Sequence, residues 1–353
     1  MDYAHQLIHF LRSGFIALLC LWCGAVLANE RTLNLLTWQD YISPDLISSF
    51  ERHHNVRVRQ IYFNSDEERT SLLVNSEGRG FDLIVVSGIE IKPYASRGWL
   101  AKLDYRKLRS YQHLETRWKI AFTDSEIYGF PYFWGTTGIV YREDLVARPI
   151  SRWMELFQPE ESLRGRIGMV EDSLDLIAMA LKSLGHSLNS VTDSELDEAE
   201  TLLLRQKPFV GSYEYSLLDE KAKLVTGELW ASFIYSGDAL MLQQYQPNLK
   251  YVLPKEGSNI WIDYMTVGNY ASEPELAYQF LEFINSPQHA ALNAQHVFYA
   301  TPNEQAREFL PERFLNNPAI YPPNEVLDRS EFHTRLPINA VQRRNQIGHQ
   351  VID

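Results

Sequence analysis

The stretch LNLLTWQDYISPDLISSFE, residues 33–51, begins with an apolar run that ends in Trp38, Gln39, Asp40 and Tyr41. Thr32–Trp38 is apolar and rich in β-formers, which predicts a buried strand. Ser43 is a candidate N-cap, Pro44 suits a first helical turn, and Leu46, Ile47 and Phe50 recur at helical spacing, which predicts a helix. An indole, an acid and a phenol therefore stand where a strand hands over to a helix.

The same alternation continues outward. Val56–Ile61 reads as a second strand, Asp66–Asn75 as a helix with acids at its start, and Phe81–Val86 as a third strand closed by Ser87-Gly88. Strand–helix–strand–helix–strand order predicts an α/β fold with a parallel sheet covered by helices on both faces. In such sheets ligands bind beyond the carboxyl ends of the strands. Trp38–Tyr41 and Ser87–Glu90 lie at two such ends, so these polar and aromatic residues need not be core. A second α/β block follows: strand Gly165–Val170 running into Asp172 and Asp175, helix Ser194–Leu204, strand Trp230–Tyr235, short strand Tyr251–Pro254, strand Ile260–Val267 and helix Glu275–Ile284. The tail is Pro- and Asn-rich from Pro311 and ends in a helical segment around Asn339–Gln350.

A chain of 353 residues is long enough for about two domains, or two lobes of one wrapped fold. Residues 1–28 read as a secretory signal: Arg12, a short apolar core, and small residues at Val26-Leu27-Ala28. The apolar run is short for a membrane span, and neither Cys20 nor Cys23 has a lipoprotein-type context, so soluble export is expected. Both cysteines lie in that segment. The exported chain then has no disulfide and must rest on a large core, and Cys-based metal sites are excluded. The net charge is −12, and residues 1–28 hold only Asp2 and Arg12, so the remainder is equally acidic. That disfavours nucleic acid as a partner and suits a small cation.

Enzyme patterns are missing. There is no H-E-x-x-H, no G-x-S-x-G, no phosphate-binding loop and no G-x-G-x-x-G. His53-His54 read as the end of a solvated helix, and His289 and His296 have no acid to complete a site. No catalytic residue, metal or cofactor is expected. What recurs is an aromatic near an acid at a strand end: Trp38 with Asp40 and Tyr41, Tyr235 before Asp238, Trp261 before Asp263, and the acids Asp172 and Asp175 after a strand. Singly, a core tryptophan or a helix cap explains each one. Together they suit a linear polyammonium chain. Each buried ammonium needs a carboxylate, and the methylenes between amines need apolar walls that aromatic faces supply.

On these residues the chain resembles the periplasmic polyamine-binding proteins, the PotD/PotF branch of the bacterial solute-binding proteins, which includes a norspermidine-sensor branch. The likeness runs from about Leu33 to the C-terminus, through LNLLTWQDYISPDLISSFE, FDLIVVSG, YGFPYFWGTTGIVYRED, GRIGMVEDSLDLIAMALKSLG, YVLPKEGSNIWIDYMTV and FYATPNEQA. The resemblance implies a two-lobe periplasmic binding protein of type II, each lobe a mixed sheet flanked by helices, with a hinge of crossing strands. The chain would cross between lobes near Gly138–Tyr141 and Asp263–Thr266. It implies lobe I over residues 29–139 and 264–308, and lobe II over 140–263 and 309–353. It also implies a ligand set: Trp38, Asp40, Tyr41 and Ser87 from the first lobe; Asp172, Asp175 and Tyr235 from the second; Trp261 and Asp263 as stacking wall and central carboxylate; Tyr299 and His333. The chain departs from the pattern at Ile89 for a Tyr, Asp175 for a longer Glu, Gln39 for a small hydroxyl residue, Tyr235 for a Trp, and His333 for a Gln. With His333 in the pocket, binding should weaken below about pH 6.5 as an imidazole gains charge. The implied partner is an inner-membrane receptor of the GGDEF/EAL type, which controls biofilm through cyclic-di-GMP, or an ABC permease. The altered pocket tilts the expectation slightly toward sensing a triamine.

Overall fold

A computed structural model describes residues 31–352, so the signal segment and both cysteines lie outside the described residues. Among the described residues there are ten strands: β1 Thr32–Trp38, β2 Arg57–Phe63, β3 Leu83–Ser87, β4 Gly129–Arg142, β5 Ile167–Gly168, β6 Val210–Ser212, β7 Ala231–Tyr235, β8 Leu249–Val252, β9 Asn259–Val267 and β10 Glu331–Phe332. They run side by side in the order β2-β1-β3-β9-β4-β7-β5-β6, with β10 beside β9 and β8 beside β4.

The opening stretch folds as its pattern predicts. Leu33, Leu35 and Leu36 are fully buried, as suits a strand covered on both faces. The following helix, Pro44–His54, starts on its proline, buries Leu46, Ile47 and Phe50, and ends at Asn55 in left-handed backbone. Phe50 packs against Phe280 and Phe283 of the Pro274–Ile284 helix. Truncating it to alanine should cost about 3–5 kcal/mol.

The sheet is mixed rather than parallel throughout. β1 is parallel to β2 and β3, but β9 lies antiparallel between β3 and β4. Consecutive strands of a βαβ unit pair in parallel, whereas β9 returns late in the chain from the opposite direction. The predicted strand Gly165–Val170 is reduced to Ile167–Gly168, and β4 is expected only as a crossing strand near Gly138–Tyr141, whereas it begins at Gly129. β4 joins two halves of the sheet: Gly129–Thr136 pairs with β9, and Thr137–Tyr141 pairs with β7. The exchange falls between Thr136 and Thr137, just ahead of the expected crossing at Gly138–Tyr141.

A first core gathers around β1, β3 and β9, and a second around Trp153, β5, β7 and the Ser173–Ser183 helix. Leu310, Phe314, Ala319 and Ile320 belong to the first core, whereas Ile347 and Val351 belong to the second. We therefore propose that the tail passes to the second lobe from Glu331–Thr334, where Glu331 pairs with Lys182 and Asn189 bonds Phe332 and Thr334, and completes the move in its last helix, Ile338–Ile352, later than residue 309.

Candidate functional site

The aromatic–acid pairs converge where strands from both halves of the sheet end. Asp263 on β9 is the ladder partner of Ser87 at the end of β3 and is also registered with Phe133 on β4. It is 6% exposed and accepts a hydrogen bond from Tyr41 Oη at 3.0 Å. Burial pushes its pKa up to about 7, with Asp66 adding to the rise and Arg69, Tyr41 and the Trp38 indole opposing it. The carboxylate thus stands in a place that favours a proton or another cation.

From Tyr41 the ring contacts continue. Tyr41 meets Tyr299 at 6.2 Å, Tyr299 meets Trp261 edge-on at 4.8 Å, and Trp261 meets Tyr235 edge-on at 6.1 Å. Two glycines make this row possible. A Cβ at Gly135 would come within 2.7 Å of the Trp261 ring, and one at Gly237 within 2.6 Å of Tyr299. Each phenol ends on a carboxylate. Tyr235 Oη donates to Asp175 Oδ2 at 2.8 Å, and Tyr299 Oη donates to Asp238 Oδ1 at 2.6 Å. Burial and the neighbouring carboxylates hold the tyrosine pKa values well above normal, so the phenols remain donors.

The second-lobe end rests on a helix start. Asp172 caps the Ser173–Ser183 helix, accepting from the Asp175 backbone N–H at 2.9 Å. The helix N-terminus stabilises both carboxylates. Asp175 is 5% exposed, and its Oδ1 lies 2.8 Å from His333 Nε2. Burial, and then the Asp175 charge, raise the Asp172 pKa.

Ten of the eleven expected residues are thereby brought together: Trp38, Tyr41, Ser87, Asp172, Asp175, Tyr235, Trp261, Asp263, Tyr299 and His333. Trp38 packs on Phe63 at 4.4 Å beside Asp263. Asp40 stands apart; it is exposed in left-handed backbone, φ 55°, at the turn after β1.

A family model for the bacterial extracellular solute-binding proteins matches residues 45–322. The chain belongs to that family. This solute-binding protein is periplasmic, as its named relatives are. The norspermidine sensor of Vibrio cholerae is 28% identical to it over 337 residues, covering 94% of this chain and 92% of the sensor. The spermidine/putrescine-binding periplasmic protein of Escherichia coli is 27% identical over 328 residues, 92% of each chain. Among solved structures, the spermidine/putrescine ABC transporter substrate-binding protein PotD of Streptococcus pneumoniae matches with a TM-score of 0.81 at 27% identity, covering 91% of this chain and 98% of that one.

Three features of the solute-binding protein's site were not among the expected ligands. Asp238 accepts from Tyr215 Oη at 2.5 Å as well as from Tyr299, which makes it a further carboxylate of the row. Its place just after Tyr235 was a visible signal. Tyr215 lies outside any strand or helix, with no periodic pattern to mark it. Arg69 and Asp66, beside Ser87, sit in a charged helix start that reads as solvated surface.

Proposed function

We propose that this chain is a periplasmic polyamine-binding protein that closes on a spermidine- or norspermidine-type triamine and reports to an inner-membrane partner. One observation carries the reading. Asp263, Asp238, Asp175 and Asp172 form a row of carboxylates, three of them hydrogen-bonded by tyrosine phenols, along a wall made by Tyr299, Trp261 and Tyr235. Such a row offers each ammonium a charge partner and each methylene run an aromatic edge or face. Because the acids come from elements on both sides of the β4 exchange, a bridging ligand favours closure by its greater affinity for the closed state. The names of the Vibrio cholerae and Escherichia coli relatives support the ligand class.

For the partner, we favour a receptor with GGDEF or EAL domains that controls biofilm, in keeping with the norspermidine sensor relative. Delivery to a spermidine/putrescine ABC permease is the second reading, favoured by the transport relatives and the PotD structure. Isothermal titration with putrescine, cadaverine, norspermidine, spermidine and spermine tests the ligand class. Micromolar binding, near −8 kcal/mol, that is lost in Asp263→Ala is expected. No heat with any polyamine overturns it. Cross-linking of the liganded protein in native membranes, followed by mass spectrometry, then separates a receptor from a permease.

A further inference from the structure

The first-lobe end of the row already holds a cation. Arg69, on the Asp66–Asn75 helix, has no exposed surface, although it belongs to the highly charged turn Asp66-Glu67-Glu68-Arg69. Its Nη1 pairs with Asp66 Oδ1 at 2.7 Å, its Nη2 donates to Ser87 Oγ at 3.3 Å, and its Nε donates to Tyr94 Oη at 3.4 Å. Ser87 Oγ in turn donates to Asp66 Oδ2 at 3.1 Å. The guanidinium lies against Phe63, 5.1 Å from the ring centroid, and Phe63 carries Trp38 on its other contact. A buried guanidinium remains charged, and here a carboxylate, a hydroxyl and an aromatic ring hold it in one orientation.

Its position matters because Ser87 is the ladder partner of Asp263. The field of Arg69 reaches that carboxylate. An ammonium brought past Asp263 toward Ser87 would find Asp66 already paired and a fixed positive charge beside it. Like charges in a partly buried site repel strongly.

We propose, building on the polyamine reading, that Arg69 is a specificity-determining residue: a resident cation that ends the amine row at Ser87 and limits the ligand to amines counted from Asp263 toward the second lobe. The protein then selects polyamines by length at this end through repulsion as well as by the attractive acids elsewhere. An uncharged terminus is tolerated at Ser87, and a charged one is not.

The test is calorimetric titration of the full exported chain with putrescine, spermidine, spermine and a mono-N-acetylated spermidine. In Arg69→Met, Asp66 is released to hold an amine, and the affinity ratio of spermine to putrescine should rise at least tenfold. Arg69→Lys keeps the charge and should leave that ratio within twofold of wild type. The acetylated ligand reports on the unaltered protein, so the proposal does not depend on a variant that folds. Acetylated spermidine should bind wild type within threefold of spermidine. A ratio unchanged in a folded Arg69→Met protein overturns the proposal, as does a tenfold or larger loss on acetylation. If wild type binds no polyamine, the polyamine reading itself fails and takes this proposal with it. Binding with an unchanged ratio defeats this proposal alone.

Discussion

The two ends of the carboxylate row neutralise buried charge in different ways. At the first-lobe end, Asp66 is paired with the guanidinium of Arg69, which stays charged at every accessible pH. At the second-lobe end, Asp175 is met by a phenol and an imidazole, and Asp172 stands directly beside it. Burial and the Asp175 charge raise the Asp172 pKa, so a proton is favoured at this end. Between the ends, Asp263 and Asp238 have, among the described residues, no cation in hydrogen-bond contact, only phenols and the Trp38 indole. The contrast teaches where a ligand's ammonium groups are needed. The middle of the row lacks compensating charge, the second end can exchange a proton for an amine, and the first end has its cation built in.

The largest expected effect therefore falls on the middle. Asp263→Ala should weaken polyamine binding by at least about 30-fold, since truncating one partner of a buried charge pair costs on the order of 2–5 kcal/mol. Asp238→Asn should cost roughly tenfold, because its site is less enclosed and the amide retains one hydrogen-bond acceptor. Titration calorimetry on both variants ranks them. Equal losses would mean that the charge centre does not sit at Asp263.

Acidity sharpens the same contrast. Asp263 titrates at about 7 in the fold, against an ordinary 3.8. The unliganded fold therefore holds a proton there that the unfolded chain gives up. The stabilisation from this group is complete below about pH 4 and is lost as pH rises through about 7. A bound ammonium reverses the preference, because it requires the carboxylate. Polyamine affinity should thus rise roughly tenfold or more from pH 5.5 to 8, and about one proton should be released on binding near pH 6, visible as a buffer-dependent heat. Asp263→Asn should flatten that pH dependence at weaker affinity. It should also raise the melting temperature of the unliganded protein at pH 8 relative to wild type. A pH dependence that survives in Asp263→Asn and disappears in Asp172→Asn would move the proton from the middle of the row to its second end, where burial also raises the Asp172 pKa.

At that second end the expected effect is smaller. Tyr235→Phe removes one donor to Asp175 while His333 remains, so affinity should fall by about three- to tenfold, the range of one hydrogen bond of roughly 0.5–1.5 kcal/mol. A loss as large as that of Asp263→Ala would show that the Tyr235 hydroxyl itself contacts the ligand and does more than orient an acid.

Much of the fold was legible because local pattern and burial agree. Thr32–Trp38 and Asp66–Asn75 have the predicted bounds, since an apolar β-rich run and an acidic, capped helix start each have one reading. Most of β4, ahead of the expected crossing at Gly138–Tyr141, was hidden because Pro131 and the glycines at 135 and 138 look like loop. The ladder register shifts between Pro131 and Phe133, where the missing N–H is accommodated, and the glycines leave room for Trp261 and Tyr251. In the site, the acids at strand ends were visible because each lies next to an aromatic. Arg69 was not, because nothing local distinguishes an arginine on a solvated helix face from one folded under Ser87 and Phe63. Only the packing of β3 against that helix reveals it.

Asp40 is the sharpest case in which likeness and geometry point different ways, and it should give the smallest effect. The resemblance puts it in the first-lobe clamp beside Trp38 and Tyr41. Here its neighbours turn inward, toward Phe63 and Asp263, while Asp40 is exposed in left-handed backbone. Asp and Asn tolerate that backbone better than most residues, which gives the acid a reason to be there without a ligand: it lets β1 stop and swing Tyr41 under the row. Asp40→Asn keeps the turn and removes the charge, so polyamine affinity should change by less than about threefold. Asp40→Ala loses the turn preference and should lower stability by up to about 1 kcal/mol, again with little change in affinity. If Asp40→Asn instead matched Asp263→Ala in calorimetry, a ligand would have to draw the turn inward on binding, and the first-lobe end would hold an amine as well as Arg69.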